Sequence, residues 1–268
     1  MHPILFTLGP ITIYSYGVAM ALAFLIAMTL AAHDARTSLK GLVPLHDATL
    51  LDWGAFVMIG GVVGGRLLYV LLNWDSYRTS PLEIFALWHG GLVWYGGLAG
   101  GILAQALFAA RRHLSFLRIT DQVAPVVALG HAIGRLGCFA NGCCYGKPTT
   151  AWWGVVFPDH LDAVIPTQVI ESVGLMILFL VLRMLQGKIG DTNNLQRPGR
   201  LFGWYLVGYG LLRAGIESWR GDQPTVWAGM TLAQLISLGL VMTGLLRGHK
   251  QIKMGDTNRF LKLFVSPF

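Results

Sequence analysis

Long apolar stretches separated by short polar connections dominate this sequence. A helix that crosses about 30 Å of hydrocarbon needs ~20 predominantly apolar residues. Seven stretches come close to that length, at residues 13–32, 49–72, 92–110, 119–137, 168–186, 200–218 and 228–247. The fourth is the least regular, because it contains Asp121, Pro125, His131 and Arg135. The pattern predicts an all-α integral membrane protein, with seven transmembrane helices in a single domain over residues 1–268.

Composition excludes the main alternatives to a membrane protein. Hydrophobic residues make up 54% of the chain and charged residues 12%, whereas ordinary soluble domains are roughly 25% charged. Such a chain is neither a soluble globular protein nor disordered. The net charge of +7 would indicate nucleic-acid binding only if the basic residues clustered on one soluble face. They lie between the apolar stretches instead, so we expect no nucleic-acid partner.

The basic residues are distributed unevenly over the connections. Alternate connections, counted together with the adjoining ends of the stretches, hold 14 of the 20 Lys and Arg residues, and connections rich in these residues face the cytoplasm. This predicts that the N-terminus lies outside and the C-terminus inside, with a cytoplasmic tail at 247–268. Connections 73–91, 138–167 and 219–227 would then form a small head on the outer face. No Lys or Arg precedes Arg36, so the first stretch lacks the basic region of a signal peptide and is expected to stay in the mature protein.

Paired glycines recur in the second and third stretches, within residues 60–65 and 96–101. Their spacing of four residues places them on one helix face, where two backbones can approach closely. The simpler interpretation is tight helix packing. The other is that the glycines leave room for a lipid tail.

Ionisable residues interrupt several of the apolar stretches. A charge at the centre of a membrane costs at least ~2.5–3.5 kcal/mol, so such residues are functional candidates. They are Asp52, Arg66, Arg135, Glu171, Arg213 and Glu217. The last four lie near the outer ends of the fourth, fifth and sixth stretches, and we expect them to converge around one outward-facing cavity.

The sixth stretch carries a polar stripe. Tyr209, Arg213 and Glu217 follow one another at intervals of four residues, with Arg220 three residues further on, so they share one helix face. One interpretation is a structural ion pair between Arg213 and Glu217. The other is that Arg213 binds an anion that Glu217 orients, because a guanidinium matches phosphate oxygens and keeps its proton.

All three cysteines lie in one glycine-rich segment with His131 and Arg135, which share a helix face. Packing, metal binding and redox chemistry are all consistent with Cys138, Cys143 and Cys144. Three ligands at this spacing match no familiar zinc motif, so no metal is expected. Small buried thiols, or a Cys138–Cys143 or Cys138–Cys144 disulfide that pins the turn, are favoured on the outer face. A bond between the adjacent Cys143 and Cys144 is disfavoured by geometry.

The third stretch begins with Trp94 and Tyr95, followed by two glycines. On the simplest interpretation both rings are interfacial anchors. A tyrosine before paired glycines can also expose its hydroxyl in a cleft that lipids reach. Pro166 and Thr167 are typical of a helix start and mark the beginning of the fifth stretch.

Taken in order, these motifs resemble the prolipoprotein diacylglyceryl transferases over nearly the whole chain. The matching residues are Tyr16-Gly17, Gly64-Gly65-Arg66-Leu-Leu-Tyr69, Tyr95-Gly96-Gly97, Gly134-Arg135-x-Gly137-x-Phe139-x-Asn141-Gly142-x-x-x-Gly146, Pro166-Thr167-Gln168-x-x-Glu171, Tyr209-Gly210-x-x-Arg213-x-x-x-Glu217-x-x-Arg220 and Met230-Thr-Leu-Ala-Gln234. The resemblance implies a seven-helix enzyme of the bacterial inner membrane with its active site open to the outer leaflet.

Enzymes of that family transfer the diacylglyceryl group of phosphatidylglycerol to the lipobox cysteine thiol of a preprolipoprotein signal peptide. The reaction forms a thioether and releases glycerol phosphate. The resemblance therefore implies phosphatidylglycerol, other membrane lipids and lipobox signal peptides as partners, and no cofactor.

The resemblance also implies roles for individual residues. Arg135 and Arg213 would neutralise the charge that grows on the departing phosphate, because fixed donors act most strongly in a low-dielectric site. The expected binding residues for phosphatidylglycerol are Arg135, Arg213, Tyr16, Arg66, Asn141, Gly142, Tyr209 and Arg220. The expected catalytic residues are Arg135, Arg213, Tyr95, His131 and Glu217.

Three residues depart from the family pattern. Tyr95 stands where the family most often has histidine, Cys138 replaces an asparagine, and Cys143 replaces an acidic residue. An unperturbed tyrosine, with a pKa near 10, is a poor base at neutral pH. We therefore expect His131, or else His89, to accept the thiol proton and Tyr95 to hold the phosphate. The alternative is that His131 is a buried histidine that serves helix packing. The departures leave two alternatives open: a related transferase with another acceptor, and a non-enzymatic lipid or thiol-redox membrane protein.

Overall fold

The computed structural model describes residues 3–8, 11–37, 45, 47–87, 90–158, 161–189, 198–221 and 223–249. Seven long helices make up most of this part of the chain. The helices in chain order, with one short helix between the second and third long ones, are α1 (Ser15–Thr37), α2 (Asp47–Leu72), α3 (Trp74–Tyr77), α4 (Trp94–Arg111), α5 (Phe116–Asn141), α6 (Thr167–Ile189), α7 (Arg200–Trp219) and α8 (Leu232–His249). A 3₁₀ helix at Pro81–Phe85 follows α3. Each long helix overlaps one of the seven predicted stretches.

Four helical segments are long and apolar enough to cross a membrane. They are Ser15–Arg36, Ala48–Leu72, Phe116–Asn141 and Thr167–Gln186, and Leu232–Arg247 is a shorter apolar helix. The chain is therefore a multi-pass membrane protein. The count of seven spans and the orientation of the termini stay predictions.

The fourth predicted stretch, which is the least regular, forms α5, and α5 is the most buried of these four helices. In α5, 44% of the apolar window is buried inside the protein, against 17–28% in the other three. Pro125 lies within the helix and does not end it. The helix also runs to Asn141, so Cys138 is helical, whereas the predicted outer connection began at residue 138.

Two short hairpins were not predicted from the sequence. In the first, β1 (Ile4–Leu8) pairs antiparallel with β2 (Ile11–Tyr14), which leads directly into α1. In the second, β3 (Thr225–Trp227) pairs with β4 (Met230–Thr231) immediately before α8. Ala228 and Gly229 join β3 to β4 with φ values of 48° and 73°. A two-residue turn whose twist matches that of the strands requires such positive φ values.

The described chain divides into two compact units. The first comprises the described residues of Met1–Thr29 and Val123–Phe268, and the second those of Leu30–Gln122. In the first unit, α5, α6 and α7 share a core around Ala128, Leu182 and Leu201. Close contact between α7 and α8 depends on glycine: a methyl group at Gly210 would lie 2.8 Å from the carbonyl oxygen of Ser237.

The second unit is built on the contact between α2 and α4. A methyl group at Gly64 would collide with the backbone of Gly96 and Gly100, and one at Gly60 with Ala104 and Gly100. These glycines therefore let the two backbones approach closely, which supports the packing interpretation of the repeated motif.

Candidate active site

A network of buried charges connects α5, α6 and α7 at one end of the first unit. Glu171, in the first turns of α6, is only 1% exposed. Its Oε1 lies 3.0 Å from Arg135 Nη2 of α5, and its Oε2 lies 3.6 Å from Arg213 Nη1 of α7. One carboxylate thus bridges the two arginines that the sequence assigned to phosphate binding.

Glu217 extends this network along α7 towards α8. Arg213 Nη2 donates to Glu217 Oε2 at 2.7 Å, and the Thr231 hydroxyl donates to Glu217 Oε1 at 3.0 Å. Thr231 and Gln234 form a capping box at the start of α8: the backbone N–H of each donates to the side-chain oxygen of the other. The α8 cap therefore also holds the second carboxylate.

The two arginines and two carboxylates balance in charge, but their hydrogen-bonding capacity is not used up. Arg135 Nε and Arg213 Nη1 are buried and have no hydrogen-bond partner among the described residues. Glu171 Oε1 has none either, so its contact with Arg135 is an ion pair without hydrogen-bond alignment. Each arginine consequently keeps one donor that an additional oxygen atom could accept from.

His131 lies beside this network, as its position on α5 predicted. Its Nε2 is 3.9 Å from Glu171 Oε1, and its ring centroid is 5.3 Å from that of Tyr209 on α7. Tyr209 stacks in turn on Tyr205. The structure thus brings together four of the predicted catalytic residues, Arg135, Arg213, His131 and Glu217, with Tyr209 next to them.

The C-terminus of α5 ends in a Schellman motif. Gly142 has a φ of 76°, its N–H donates to Phe139 O, and the Cys143 N–H donates to Cys138 O. This pattern of hydrogen bonds closes a helix and folds the residue after the glycine back over its last turns. Cys143 is thereby placed against Cys138, and its thiol donates to Cys138 O at 3.7 Å.

Two buried side chains of α6 hold the backbone of Cys143 and Cys144. The Thr167 hydroxyl donates to Cys144 O at 2.8 Å, and Gln168 Nε2 donates to Cys143 O at 2.6 Å. Cys144 has a φ of 67°, a conformation that non-glycine residues adopt rarely. The three cysteines carry free thiols, and their sulfur atoms lie within 4.8 Å of one another.

Of the two cysteines that follow α5, Cys144 has the more acidic thiol, because hydrogen bonds and nearby charges lower its pKa. Hydrogen bonds from Cys138 and Cys143 lower the pKa of Cys144, and the positive charges of Arg135 and Arg220 act in the same direction. The pKa of Cys143 is raised: its hydrogen bond with Cys138 lowers it, but the bond with Cys144 and burial outweigh that effect. Asn141 also hydrogen-bonds to Cys143.

Tyr16, at the start of α1, lies beside the C-terminal end of α5. A methyl group at Gly137 would lie 3.5 Å from the Tyr16 ring, and the charges of the three cysteines and of Arg135 act on its phenol. Tyr16, Asn141, Gly142 and Arg220 therefore lie near the cysteines. Their predicted contact with phosphatidylglycerol stays a prediction.

An apolar cavity of about 610 Å³ lies in the first unit. Its lining comes from the end of α5, the connection between α5 and α6, the start of α6 and the end of α7, and comprises Phe139, Thr149, Trp153, Val155, Ile165, Pro166, Val169, Ile170 and Trp219. Ile170 precedes the bridging Glu171 in sequence and Trp219 precedes Arg220. The volume falls within the range typical of small-molecule sites.

Two predicted site residues belong to the second unit. Arg66 is buried, and its guanidinium donates to five carbonyl oxygens, those of Glu83, Ile84, Ala86, Gly90 and Gly91. This role in holding the connection after α3 was not predicted, and it leaves the substrate-binding role of Arg66 without structural support.

Tyr95 lies in the first turn of α4, with 52% of its surface exposed and its ring edge-on to Trp94. The exposed position is consistent with an interfacial anchor and with an accessible hydroxyl. His89, the second choice for the base, lies outside the described residues.

Sequence reasoning placed Glu171 at the expected cavity but gave no catalytic or binding role to Glu171, Thr231 or Gln234. Nothing in the helix of Glu171 indicated that its carboxylate would bridge the two arginines. Thr231 and Gln234 did carry a readable signal, since Thr-x-x-Gln before an apolar stretch is a capping box.

Comparison with known proteins identifies the family of this chain. Residues 3–247 match the family model of the prolipoprotein diacylglyceryl transferases. A phosphatidylglycerol–prolipoprotein diacylglyceryl transferase of Parasynechococcus marenigrum is 34% identical over 258 residues, which cover 90% of this chain and 91% of that protein. Proteins of the same name from Clostridium tetani and Bordetella parapertussis are 33% and 34% identical, over 91% of this chain and 96% and 93% of their own lengths. The chain therefore belongs to the prolipoprotein diacylglyceryl transferase family.

Proposed function

We propose that this protein transfers the diacylglyceryl group of phosphatidylglycerol to the lipobox cysteine thiol of preprolipoproteins. The named relatives act on the same two classes of substrate, and they align with this chain over about nine-tenths of its length. The chain is thus a transferase of the cell membrane.

The observation that carries the proposed mechanism is the pair of arginines bridged by one buried carboxylate. Glu171 and Glu217 hold the guanidinium groups of Arg135 and Arg213 in fixed positions. Arg135 Nε and Arg213 Nη1 are left without hydrogen-bond partners. Two fixed guanidinium groups, each with a nitrogen that makes no hydrogen bond to the described residues, suit the oxygens of a phosphodiester. Guanidinium groups also bind phosphate more specifically than ammonium groups do.

The reaction replaces a carbon–oxygen bond with a carbon–sulfur bond. The acceptor sulfur attacks the terminal glyceryl carbon of the diacylglyceryl group, and the bond from that carbon to the phosphate oxygen breaks. The bonding electrons stay on the phosphate oxygen, so negative charge grows between the two arginines. Donors that are already oriented stabilise this charge without reorganising during the reaction.

His131 is the best-placed residue to accept the thiol proton. It lies 3.9 Å from Glu171, in the same network as Arg135. The apolar cavity lined by the end of α5, the start of α6 and the end of α7 gives the apolar part of a substrate a place to lie.

The charge distribution supports an outward-facing site in the bacterial inner membrane. With the N-terminus outside and seven spans, the end of α5, the start of α6 and the end of α7 all lie at the outer face. The arginine–carboxylate network lies at these ends. Phosphatidylglycerol of the outer leaflet and a translocated signal peptide would both reach it there.

One assay tests the proposed function. The purified full-length protein is incubated in detergent with labelled phosphatidylglycerol and a lipobox peptide, and thioether peptide and glycerol phosphate are quantified. We expect equimolar products, and none with a peptide whose cysteine is replaced by serine. Consumption of phosphatidylglycerol without peptide modification would indicate another acceptor. No consumption, under conditions where a named relative is active, would contradict the proposal.

A further inference from the structure

We propose that Cys138, Cys143 and Cys144 form a three-thiolate site for Zn²⁺, whose fourth position takes the thiol of the acceptor peptide. The first part of this inference depends only on the cysteine cluster. The second part rests on the proposed function.

The sulfur positions fit a metal better than a disulfide. A zinc ion binds thiolates at about 2.3 Å, which in a tetrahedral site puts pairs of sulfurs about 3.8 Å apart. The three sulfur atoms already lie within 4.8 Å of one another, so each pair needs to shorten by no more than about 1 Å. A disulfide needs an S–S distance of about 2.05 Å, and it would leave the third thiol without a partner.

The backbone holds the three thiols in this arrangement. The Schellman motif places Cys143 against Cys138, and the positive φ of Cys144 turns its side chain back towards the same point. Positive φ at a non-glycine residue is unfavourable and persists only where the surroundings impose it. Thr167 and Gln168, both almost completely buried, impose it by binding the carbonyl oxygens of Cys144 and Cys143.

The surroundings also suit the charge and accessibility of such a site. Three thiolates and one Zn²⁺ carry a net charge of −1, and the positive charges of Arg135 and Arg220 act on Cys144. All three cysteines are only half-buried, so a metal ion and a fourth ligand can reach them. Thiolates favour soft cations such as Zn²⁺ over Mg²⁺ or Ca²⁺.

A zinc site with three protein ligands would activate the acceptor thiol for thioether formation. Its open position is filled by water or substrate, and a thiol that coordinates the metal gives up its proton, which His131, the proposed base, accepts. The coordinated sulfur then attacks the glyceryl carbon, and the carbon–oxygen bond to phosphate breaks. Glycerol phosphate leaves with the bonding electrons, and the neutral thioether, which is a weak ligand, dissociates from the metal.

Metal binding is tested first, without either substrate. The reduced full-length protein is equilibrated with Zn²⁺ or Co²⁺, and metal content, thiolate-to-cobalt charge-transfer absorption and the number of alkylated thiols are measured. We expect one metal ion per chain, tetrahedral Co²⁺ absorption, and three thiols that Zn²⁺ protects from alkylation and a chelator exposes again. Because these are the only cysteines in the chain, a sulfur signal comes from this site alone.

Variants separate the ligands from their supporting residues. Serine at any of the three cysteines should abolish the charge-transfer band. Thr167→Val removes the hydrogen bond to Cys144 O and should weaken binding about 10–100-fold, as expected for a partner of a metal ligand. Thr243→Val is the matched control, because its hydroxyl also donates to a backbone carbonyl oxygen, that of Gly239 in α8, and this variant should bind the metal normally.

Two results would overturn the metal site. One is a wild-type protein, purified without reductant, whose mass is two hydrogens lower and which has one alkylatable thiol, since that establishes the predicted disulfide. The other is three free thiols that Zn²⁺ does not protect.

Activity then tests the role of the metal separately from the transferase function. We expect the zinc-free protein to lose turnover and to recover it when Zn²⁺ is added. We expect the charge-transfer band of the protein loaded with Cd²⁺ to change when the lipobox peptide is added. Full turnover without metal would refute the activation of the acceptor thiol while leaving the transferase intact. Metal binding without any thioether product would refute the proposed function and leave the zinc site standing.

Discussion

Replacing Glu171 with glutamine tests whether one buried carboxylate holds both arginines. The substitution keeps the size and shape of the side chain and removes its charge. Arg213 would keep Glu217 at 2.7 Å, whereas Arg135 would have no carboxylate within 4.0 Å in the described part of the chain. The main effect should therefore fall on Arg135.

The expected cost follows from burial. Breaking a buried ion pair by removing one partner costs about 3–5 kcal/mol, because the other charge stays buried and unpaired. Glu171 is 1% exposed, but the Arg135 side chain is 15% exposed and keeps some contact with water. We therefore expect Glu171→Gln to lower the free energy of unfolding by about 3 kcal/mol, at the lower end of that range.

The measurement is unfolding of the detergent-solubilised protein in mixed micelles, with and without phosphatidylglycerol. Asp75→Asn is the control, because its ion pair with Arg78 is largely exposed and should be worth about 0–1 kcal/mol. Arg135→Gln and the double variant complete a double-mutant cycle, with an expected coupling of about 1–3 kcal/mol. Phosphatidylglycerol should stabilise Glu171→Gln more than the wild type, because its phosphate supplies the missing negative charge.

Two outcomes would refute this reasoning. If Glu171→Gln is as stable as Asp75→Asn and the cycle shows no coupling, the bridge contributes nothing to folding. If phosphatidylglycerol stabilises both proteins equally, the lipid phosphate does not bind next to Arg135.

Further predictions concern the same network. Lysine at Arg135 or at Arg213 should reduce turnover at least about 10-fold, because an ammonium group cannot reproduce the planar fork; near-normal turnover in both variants contradicts phosphate binding by the pair. If His131 is the base, the acidic limb of the pH–rate profile should disappear in His131→Ala and His131→Gln but persist in Tyr95→Phe; an unchanged limb in both histidine variants excludes it. Thr231→Val should cost about 1 kcal/mol of stability through the lost α8 cap, measured by unfolding, and should lower turnover by freeing Glu217; equal stability would show that the capping box is dispensable.

Local spacing was enough to predict much of this protein. The lengths of the apolar stretches located all seven long helices to within a few residues. Intervals of four residues identified the Arg213–Glu217 pair and the shared face of His131 and Arg135. These features depend on residues within one or two helical turns of each other, so the geometry of a single helix determines them.

The cysteine cluster was only partly accessible to such reasoning. The order Cys138, Gly142, Cys143 matches a Schellman motif, which places the first cysteine against the last. Cys144 joins them because of its positive φ and its contact with Thr167. Spacing alone argued against a metal site, since neither the φ value nor the contact across to α6 can be read from the interval between cysteines.

Only the tertiary structure decided which charges meet. Glu171, Arg135 and Arg213 come from three helices, and nothing in any one helix specifies that a single carboxylate will bridge the arginines of the other two. Arg66 shows the same limit: the cost of burying a charge marked it as functional, but five backbone carbonyls satisfy it. A sequence shows that a buried charge needs partners, whereas helix packing determines which groups come close enough to provide them.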